Sequence, residues 1–171
     1  KKVFKSIDEA ISAASLGQVH FARLKTGEKV AVKLRYPDIA EAIDTELRVA
    51  GLLPGVGPVK QWGFELEAYK SSLRNNMQRE LNYLSEAERQ DYFSQVVMVD
   101  GLNVPYVYKE LCSESVLVQS RASGVLINEV SDWPKYDREK IGEILLKTLF
   151  KSLFVAGEVH GDPHAGNVFY D

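Results

Sequence analysis

The sequence predicts an α+β fold, in which a small antiparallel sheet is combined with amphipathic helices. Residues 19–34 have the pattern of a β-hairpin, because two apolar segments flank a Thr26-Gly27 turn. Residues 104–108 and 116–119 have the valine-rich and tyrosine-rich composition of two further strands. Helical apolar periodicity fills three longer stretches, which cover residues 39–53, 59–93 and 138–156.

The composition is ordinary for a globular protein. The 171 residues suffice for one domain or two small lobes, and the 45% share of hydrophobic residues allows a sizeable core. The net charge is −3, with acidic and basic residues mixed along the chain. This pattern argues against a nucleic-acid binder, which usually shows a basic stripe. Cys112 is the only cysteine, so no internal disulfide can form.

The chain shows no secretory signal at its start, and no apolar run approaches the length of a membrane span. We therefore expect an intracellular protein, for which peripheral contact with a membrane stays open. The chain starts without Met and stops at Asp171 within a predicted strand. We expect it to be a piece of a longer protein.

Residues 12–18, which precede the hairpin, are rich in small side chains. Small residues let the backbone approach another group closely, and Gly17 permits backbone dihedral angles that other residues avoid. Protein kinases keep a phosphate-covering loop at such a place. The Gly-Lys-Ser or Gly-Lys-Thr of a Walker loop does not occur here. A plain loop or a helix N-terminus is the alternative interpretation.

The second strand of the hairpin contains Val30-Ala31-Val32-Lys33. Because side chains alternate along a strand, Ala31 and Lys33 share one face, while Val30 and Val32 take the other. A small residue beside a lysine suits an adenine ring next to a phosphate-binding ammonium, as in the kinase Val-Ala-Ile-Lys pattern. The alternative is a solvent-exposed lysine on an edge strand.

The first two helical stretches follow the hairpin. Pro37 is suited to the start of the first helix, and Pro54 lies in the segment that breaks it. Glu86 projects from one face of the second helix and is placed to pair with Lys33, although a charged helix residue usually marks a solvated face. The apolar stripe of this second helix is predicted to be buried and consists of Tyr69, Leu73, Met77, Leu81 and Leu84.

Residues 120–124 are expected to connect two lobes, because this polar segment contains a glycine and follows the strand at 116–119. Pro134 and Asp137 precede the third helix, and Gly157 is expected to end it after Ala156.

Residues 160–167, His-Gly-Asp-Pro-His-Ala-Gly-Asn, follow the third helix and precede an apolar run. Phosphoryl transfer needs a carboxylate that orients the attacking hydroxyl and a neutral oxygen ligand for magnesium. Asp162 and Asn167 fit these two tasks at the spacing of a kinase catalytic loop. A polar turn closing the helix is the alternative, because Gly, Pro and Asp form turns on their own.

Taken in order, these segments resemble the UbiB kinase-like family, the atypical kinases tied to coenzyme Q and related isoprenoid-quinone lipids. Each match is short, but the four occur in the order of the family and span nearly the whole chain. The matching segments are residues 13–20 as the alanine-rich loop, 30–33 as the strand lysine, with Tyr36-Pro37 after it, 80–87 as the Glu-x-Asp helix, and 160–167 as the catalytic loop.

The resemblance implies a protein-kinase-like bilobal fold that uses ATP and Mg²⁺. Residues 1–122 would form the N-lobe and residues 123–171 the start of the C-lobe. Lys33 would contact the α- and β-phosphates and be positioned by Glu86, while Asp162 would orient the nucleophile and Asn167 would hold magnesium. The residues implied to border the nucleotide are Ala13, Ala14, Ser15, Gly17, Gln18, Ala31, Lys33 and the hinge residues Ser120, Arg121 and Ala122.

The chain departs from the family pattern at several points. Asn82 stands where the family usually has an aspartate, and Ser12 replaces one alanine of the loop. The Lys-x-Gly-Gln segment of the family does not occur in the sequence. An Asp-Phe-Gly segment is expected only beyond Asp171, and it would supply a further metal ligand.

Two alternative functions fit the same residues. A small-molecule phosphotransferase of the aminoglycoside or choline kinase type has a similar catalytic loop, although the alanine-rich loop and Tyr36-Pro37 favour the UbiB-like interpretation. A pseudokinase that senses nucleotide is the other alternative. The partners implied by the resemblance are a nucleotide and an isoprenoid-quinone lipid or a membrane surface, with no nucleic acid.

Overall fold

A computed structural model of the chain describes residues 2–14, 16–39, 41–42, 45, 81–158 and 165–171. Several predicted features lie outside the described residues. These are Ser15, the break after residue 53, most of the helix predicted over 59–93, and Asp162 with the histidines on either side of it.

Four strands form one sheet in the order β1-β2-β3-β4. The pairs β1–β2 and β2–β3 are antiparallel, and the second pair confirms the predicted hairpin. The bounds of the strands are Phe4–Ala14 for β1, Gly17–Leu24 for β2, Lys29–Arg35 for β3 and Val116–Ser120 for β4.

Strand β1 was not predicted from the sequence, which indicated a loop over residues 12–18. Instead, Ala14 pairs with Gly17, so the alanine-rich segment is the tip of a second hairpin. The strand lies at one edge of the sheet, its residues 5–9 are exposed, and its register shifts three times. An exposed and bulged edge strand lacks the alternation that marks a half-buried strand, which explains why it was missed.

The core of the sheet consists of alternate residues of neighbouring strands. Val30 and Val32 are 0% and 4% exposed, while Ala31 and Lys33 are only half-buried, as the strand alternation predicts. The buried cluster consists of Ala22, Leu24, Val30, Val32 and Val118, with Phe4, Leu34, Tyr108, Leu111, Cys112 and Val116 packed against it.

Cys112 packs against this cluster and is partly buried. Its thiol donates a hydrogen bond to the carbonyl oxygen of Tyr108, 3.3 Å away, and accepts one from the N–H of Val118 at 3.4 Å. Burial raises the pKa of the Cys112 thiol, because the thiolate would lose its hydration.

We therefore expect Cys112 to react slowly with iodoacetamide at pH 8 in the folded protein and several-fold faster in urea. Because the pKa of the Cys112 thiol is higher in the folded state than in the unfolded state, keeping the thiol protonated contributes to the stability of the fold. This contribution is fully present below the pKa of the unfolded thiol. This contribution is lost as the pH rises through the folded pKa. Equal alkylation rates in both states, followed by mass spectrometry, would contradict the partial burial of the thiol.

Helix α1 spans Tyr83–Val96 and begins inside the stretch that was predicted to be one helix over 59–93. The Oδ1 atom of Asn82 accepts hydrogen bonds from the N–H groups of Leu84 and Ser85, at 3.0 and 3.3 Å, and so caps a new helix. The predicted stripe is wrong for Leu84, which is 39% exposed. The helix buries Tyr83 and Ala87 instead.

Replacing Asn82 with alanine is expected to lower the free energy of unfolding by about 1 kcal/mol, because two helix N–H groups lose their acceptor. Asn82→Asp should be neutral or slightly stabilising, since a carboxylate accepts the same hydrogen bonds and interacts favourably with the helix N-terminus. Urea unfolding of the two variants measures both effects. An equal loss in both variants would show that the side chain does not act as a cap.

The strand predicted over 104–108 is wrong, because only Val107 forms an isolated bridge, with Gln119. Pro105 has no N–H group to donate to a neighbouring strand, which limits the pairing there. The chain continues into a short 3₁₀ helix over Lys109–Leu111.

The third predicted helix is confirmed as α2, Lys135–Lys151, which starts three residues earlier than expected. A π-helical turn, Ser152–Ala156, continues it, and Gly157 ends it with a φ of 69°.

The strands β5 (Val125–Leu126) and β6 (Phe169–Tyr170) form a separate antiparallel pair, and β6 was predicted from its apolar run. Two 3₁₀ helices, Ile127–Val130 and Ala165–Asn167, complete this part of the chain.

The chain divides into two compact units. The first comprises Lys1–Ala87 and Tyr108–Val118, and the second comprises Glu88–Val107 and Gln119–Asp171. The predicted division into lobes after residue 122 stays a prediction. In the described part of the chain, no helix is both long enough and apolar enough to cross a membrane.

Candidate functional site

An ion pair joins the sheet of the first unit to helix α1. The Nζ atom of Lys33, on β3, lies 2.9 Å from Oε1 and 3.0 Å from Oε2 of Glu86, in the first turn of α1. The structure therefore brings together two predicted site residues that are 53 positions apart in the sequence. Their roles in catalysis stay predictions.

The two charged side chains remain accessible, with exposed fractions of 30% for Lys33 and 33% for Glu86. A partly solvated pair of this kind contributes only about 0–1 kcal/mol to stability. Its chief effect is to hold an ammonium group in one place at the surface of the sheet. A fixed ammonium beside a strand is the arrangement that kinases use to bind nucleotide phosphates.

Tyr83 is a neighbour of Lys33 that the sequence interpretation did not place at the site. The Lys33 Nζ atom lies 4.8 Å from the centroid of its ring, which is within range of a cation–π interaction. Tyr83 and Glu86 are three positions apart on α1, so they lie on the same face of the helix. That spacing was visible in the sequence, but an aromatic residue in an apolar helix pattern indicates core packing first.

Two further contacts hold the start of α1 against the rest of the first unit. The N–H of Tyr83 donates to the carbonyl oxygen of Glu114 at 3.2 Å. The guanidinium of Arg35, at the end of β3, donates to the carbonyl oxygen of Leu81. The strand that bears Lys33 is thus tied directly to the residues that precede Glu86.

The alanine-rich segment lies on the neighbouring strands. Ala13 pairs with Gln18 and Ala14 with Gly17 at the tip of the β1–β2 hairpin. Along the β2–β3 pair, the register partner of Lys33 is Val19. The hairpin tip is therefore placed within two residues of the register position of Lys33, which suits a loop that borders a bound phosphate.

Gly17 is required for close approach and not for its backbone dihedral angles. Its φ is outside the positive range, so Gly17 does not use the unusual dihedral angles that a glycine permits. A Cβ atom at this position would overlap the carbonyl oxygen of Leu34, and it would lie 3.0 Å from the Oη atom of Tyr83. At Gly17, the prediction that a small residue allows a close contact of the backbone is confirmed.

The remaining predicted adenine contacts lie on β3 and at the end of β4. Ala31 is half-buried and follows the strand alternation with Lys33. The N–H of Ser120 donates to the carbonyl oxygen of Tyr106 at 2.7 Å, and its hydroxyl accepts from the N–H of Tyr106 at 2.9 Å. Arg121 and Ala122 follow in an exposed segment. Since the N–H of Ser120 is engaged, an adenine contact would use other backbone groups of this segment.

Asn167 ends the 3₁₀ helix Ala165–Asn167, two positions before the start of β6, and its side chain is exposed. Asp162 and Ser15 lie outside the described residues. The predicted convergence of Lys33, Asp162 and Asn167 on one nucleotide stays a prediction.

A model of the family described as the ABC1 atypical kinase-like domain matches residues 1–171. The probable protein kinase UbiB of Sodalis glossinidius is 33% identical over 174 residues, which cover 94% of this chain and 31% of that protein. The atypical kinase coq-8, mitochondrial, of Caenorhabditis elegans is 31% identical over 163 residues, covering 95% of this chain and 22% of that protein.

A solved structure, that of Rv3197 in complex with erythromycin from Mycobacterium tuberculosis, is similar with a TM-score of 0.75 and 28% sequence identity. The match covers 97% of this chain and 43% of that one. The predicted α+β, kinase-like fold is confirmed by these similarities. The chain spans about a fifth to two fifths of the length of the curated relatives it matches.

Proposed function

We propose that this chain, which belongs to the ABC1 atypical kinase-like family, forms the ATP-binding core of a kinase or ATPase that acts in isoprenoid-quinone lipid metabolism. The observation that supports this proposal most directly is the ion pair between Lys33 and Glu86. An ammonium held by both oxygens of a carboxylate is fixed in position before a ligand arrives. Phosphoryl transfer depends on such positioning and on neutralisation of the phosphate charge.

The residues present fit a nucleotide and its metal. Lys33 would neutralise the α- and β-phosphates, and the tip of the β1–β2 hairpin would border them through backbone N–H groups. The side-chain oxygen of Asn167 is a ligand type that Mg²⁺ accepts, and Asp162 would orient the attacking hydroxyl or water. When bound, Mg²⁺ supplies charge neutralisation at the phosphates.

The described residues contain no cluster of three or more His, Cys, Asp or Glu side chains that could hold a metal ion.

The lipid assignment is supported by similarity to UbiB of Sodalis glossinidius and to the mitochondrial coq-8 of Caenorhabditis elegans. We propose an isoprenoid-quinone lipid as the partner at the site of action and peripheral contact with a membrane inside the cell. The ATP-dependent step is either hydrolysis or phosphorylation of a lipid-linked acceptor.

The test is MgATP binding and turnover by the protein in its natural full length, with and without vesicles that contain an isoprenoid quinone. We expect saturable ATP binding that weakens when EDTA removes the Mg²⁺, and turnover that rises with the vesicles. Absence of MgATP binding at millimolar concentration would overturn the proposal. Rapid phosphorylation of an aminoglycoside or amino alcohol, or binding without turnover, would assign the protein to one of the two alternative classes.

A further inference from the structure

We propose that Tyr83 is a positioning residue for Lys33, whose ring face sets the direction in which the ammonium is presented to an anionic ligand. The identity of that ligand as a nucleotide phosphate rests on the proposed function. The central contacts of the inference are those that Lys33 makes with Glu86 and Tyr83.

Glu86 occupies two of the hydrogen-bond donors of the Lys33 ammonium. An ammonium has three N–H groups and no acceptor. Two of them face the carboxylate oxygens of Glu86, at 2.9 and 3.0 Å. Among the described residues Lys33 has no further hydrogen bond, so one N–H group remains for a ligand.

The Tyr83 ring restricts the side from which that ligand approaches. The ring lies 4.8 Å from Nζ and is 1% exposed, so it blocks one side of the ammonium with an aromatic face. The face of an aromatic ring attracts a cation and does not accept an anion. An anionic ligand therefore reaches the free N–H group of Lys33 only from a side away from Tyr83.

The two residues that contact Lys33, Tyr83 and Glu86, both lie at the start of α1. Tyr83 is the first residue of α1, and Glu86 follows three residues later in the same turn. Asn82 caps this turn, and the N–H of Tyr83 is bonded to Glu114. Ring and carboxylate therefore move as one body, and a shift of this turn would release Lys33 from both at once.

Tyr83 also borders the start of β2. A Cβ atom on Gly17 would lie 3.0 Å from the Tyr83 Oη atom, so the hydroxyl end of the ring lies against the strand that follows the alanine-rich tip. One side chain thus contacts Lys33 with its ring face and Gly17 with its far end. This arrangement sets the spacing between the ammonium and the hairpin tip that would border the phosphates.

The alternative is that Tyr83 is only a buried aromatic residue that stabilises the fold by its area. Two substitutions separate the interpretations. Tyr83→Phe keeps the aromatic ring face. Tyr83→Leu keeps the apolar volume of the side chain but removes the ring. Leu24→Ala serves as the packing control, because Leu24 is also buried, at 4% exposed, but lies five residues along β2 from Val19, the register partner of Lys33.

The first measurement is MgATP turnover by the full-length protein at a temperature where each variant is folded. For Tyr83→Leu we expect a loss of roughly tenfold in kcat with a smaller change in KM, since a cation–π contact of this kind is worth about a factor of ten. Tyr83→Phe should stay within about twofold of the wild type, and Leu24→Ala should lower Tm without lowering kcat. Full activity of Tyr83→Leu, or an equal loss in Leu24→Ala, would overturn the inference.

The second measurement needs no nucleotide and distinguishes failure of this inference from failure of the proposed function. In NMR spectra of the wild type, the Hε protons of Lys33 should be shifted upfield by the ring current of Tyr83. The shift should persist in Tyr83→Phe and disappear in Tyr83→Leu. Ordinary Lys33 shifts in the wild type would overturn the positioning role even if Tyr83→Leu fails to fold, whatever the protein does with ATP.

Discussion

Lys33→Ala is expected to lower MgATP turnover by about 10²–10³-fold, which is typical for the loss of a group that stabilises transition-state charge. Tm should change by little, because the side chain is 30% exposed and its ion pair contributes only about 0–1 kcal/mol to stability. A large loss of activity without a loss of stability is the signature of a binding residue. Steady-state kinetics and thermal unfolding of the same preparation measure both.

The matched control is Lys29→Ala, because Lys29 is exposed and lies on the same strand, four residues before Lys33. It should leave turnover unchanged. Wild-type turnover in Lys33→Ala, or an equal loss in Lys29→Ala, would remove Lys33 from the proposed site.

Glu86→Gln tests the partner of Lys33. We expect a smaller loss of turnover than in Lys33→Ala, since the ammonium remains but is held less firmly. The double variant Lys33→Ala/Glu86→Gln should be no worse than Lys33→Ala alone, because residues that act as a unit are not additive. Glu88→Gln removes an exposed carboxylate from the same helix and should have no effect. Additive losses would indicate that Glu86 acts independently of Lys33.

The hairpin was predictable because its signal is local. Strand alternation places Val30 and Val32 in the core and leaves Lys33 on the other face, as the structure shows. The pairing with Glu86 came from the order of motifs along the chain, which periodicity alone does not supply. The kinase-like fold was also predicted from the order of the motifs, because four short motifs in one order are more specific than any one of them.

The features that were missed lack a local signal. Strand β1 is an exposed and bulged edge, so its side chains show no alternation. The helix start at Tyr83 lies within a longer apolar pattern, and only the cap formed by Asn82 marks it. The role of Tyr83 beside Lys33 depends on a contact between strand and helix. Such a contact is set by tertiary packing and is not visible in the composition of either segment.

Gly17→Ala is the substitution for which we expect the largest effect on stability. The added methyl group would overlap the carbonyl oxygen of Leu34 and lie 2.9 Å from its carbonyl carbon. Backbone atoms of a neighbouring strand cannot rotate away as a side chain can. We expect a loss of about 2–3 kcal/mol, at the upper end of the range for overpacking, and a fall in Tm of roughly 5–10 °C.

The matched control for Gly17→Ala is Gly142→Ala, which makes the same change in helix α2 at a position where nothing lies within 4 Å of the added atom. It should stabilise the protein by up to about 1 kcal/mol, because alanine is the better helix former. The two substitutions add the same atom, so opposite signs of the change in Tm would show that the effect at Gly17 comes from its surroundings.

Gly17→Ala should also weaken MgATP binding and slow turnover at temperatures where the variant is folded. The methyl group can be accommodated only if the start of β2 moves away from Leu34 and from the Tyr83 hydroxyl. That movement displaces the hairpin tip from Lys33, and a misplacement of about 1 Å in such a site can cost about 10²-fold in rate. An unchanged Tm would mean that β2 and β3 are spaced more widely than the structure shows. A lower Tm with wild-type ATP affinity would show that the spacing of these strands affects stability but not nucleotide binding.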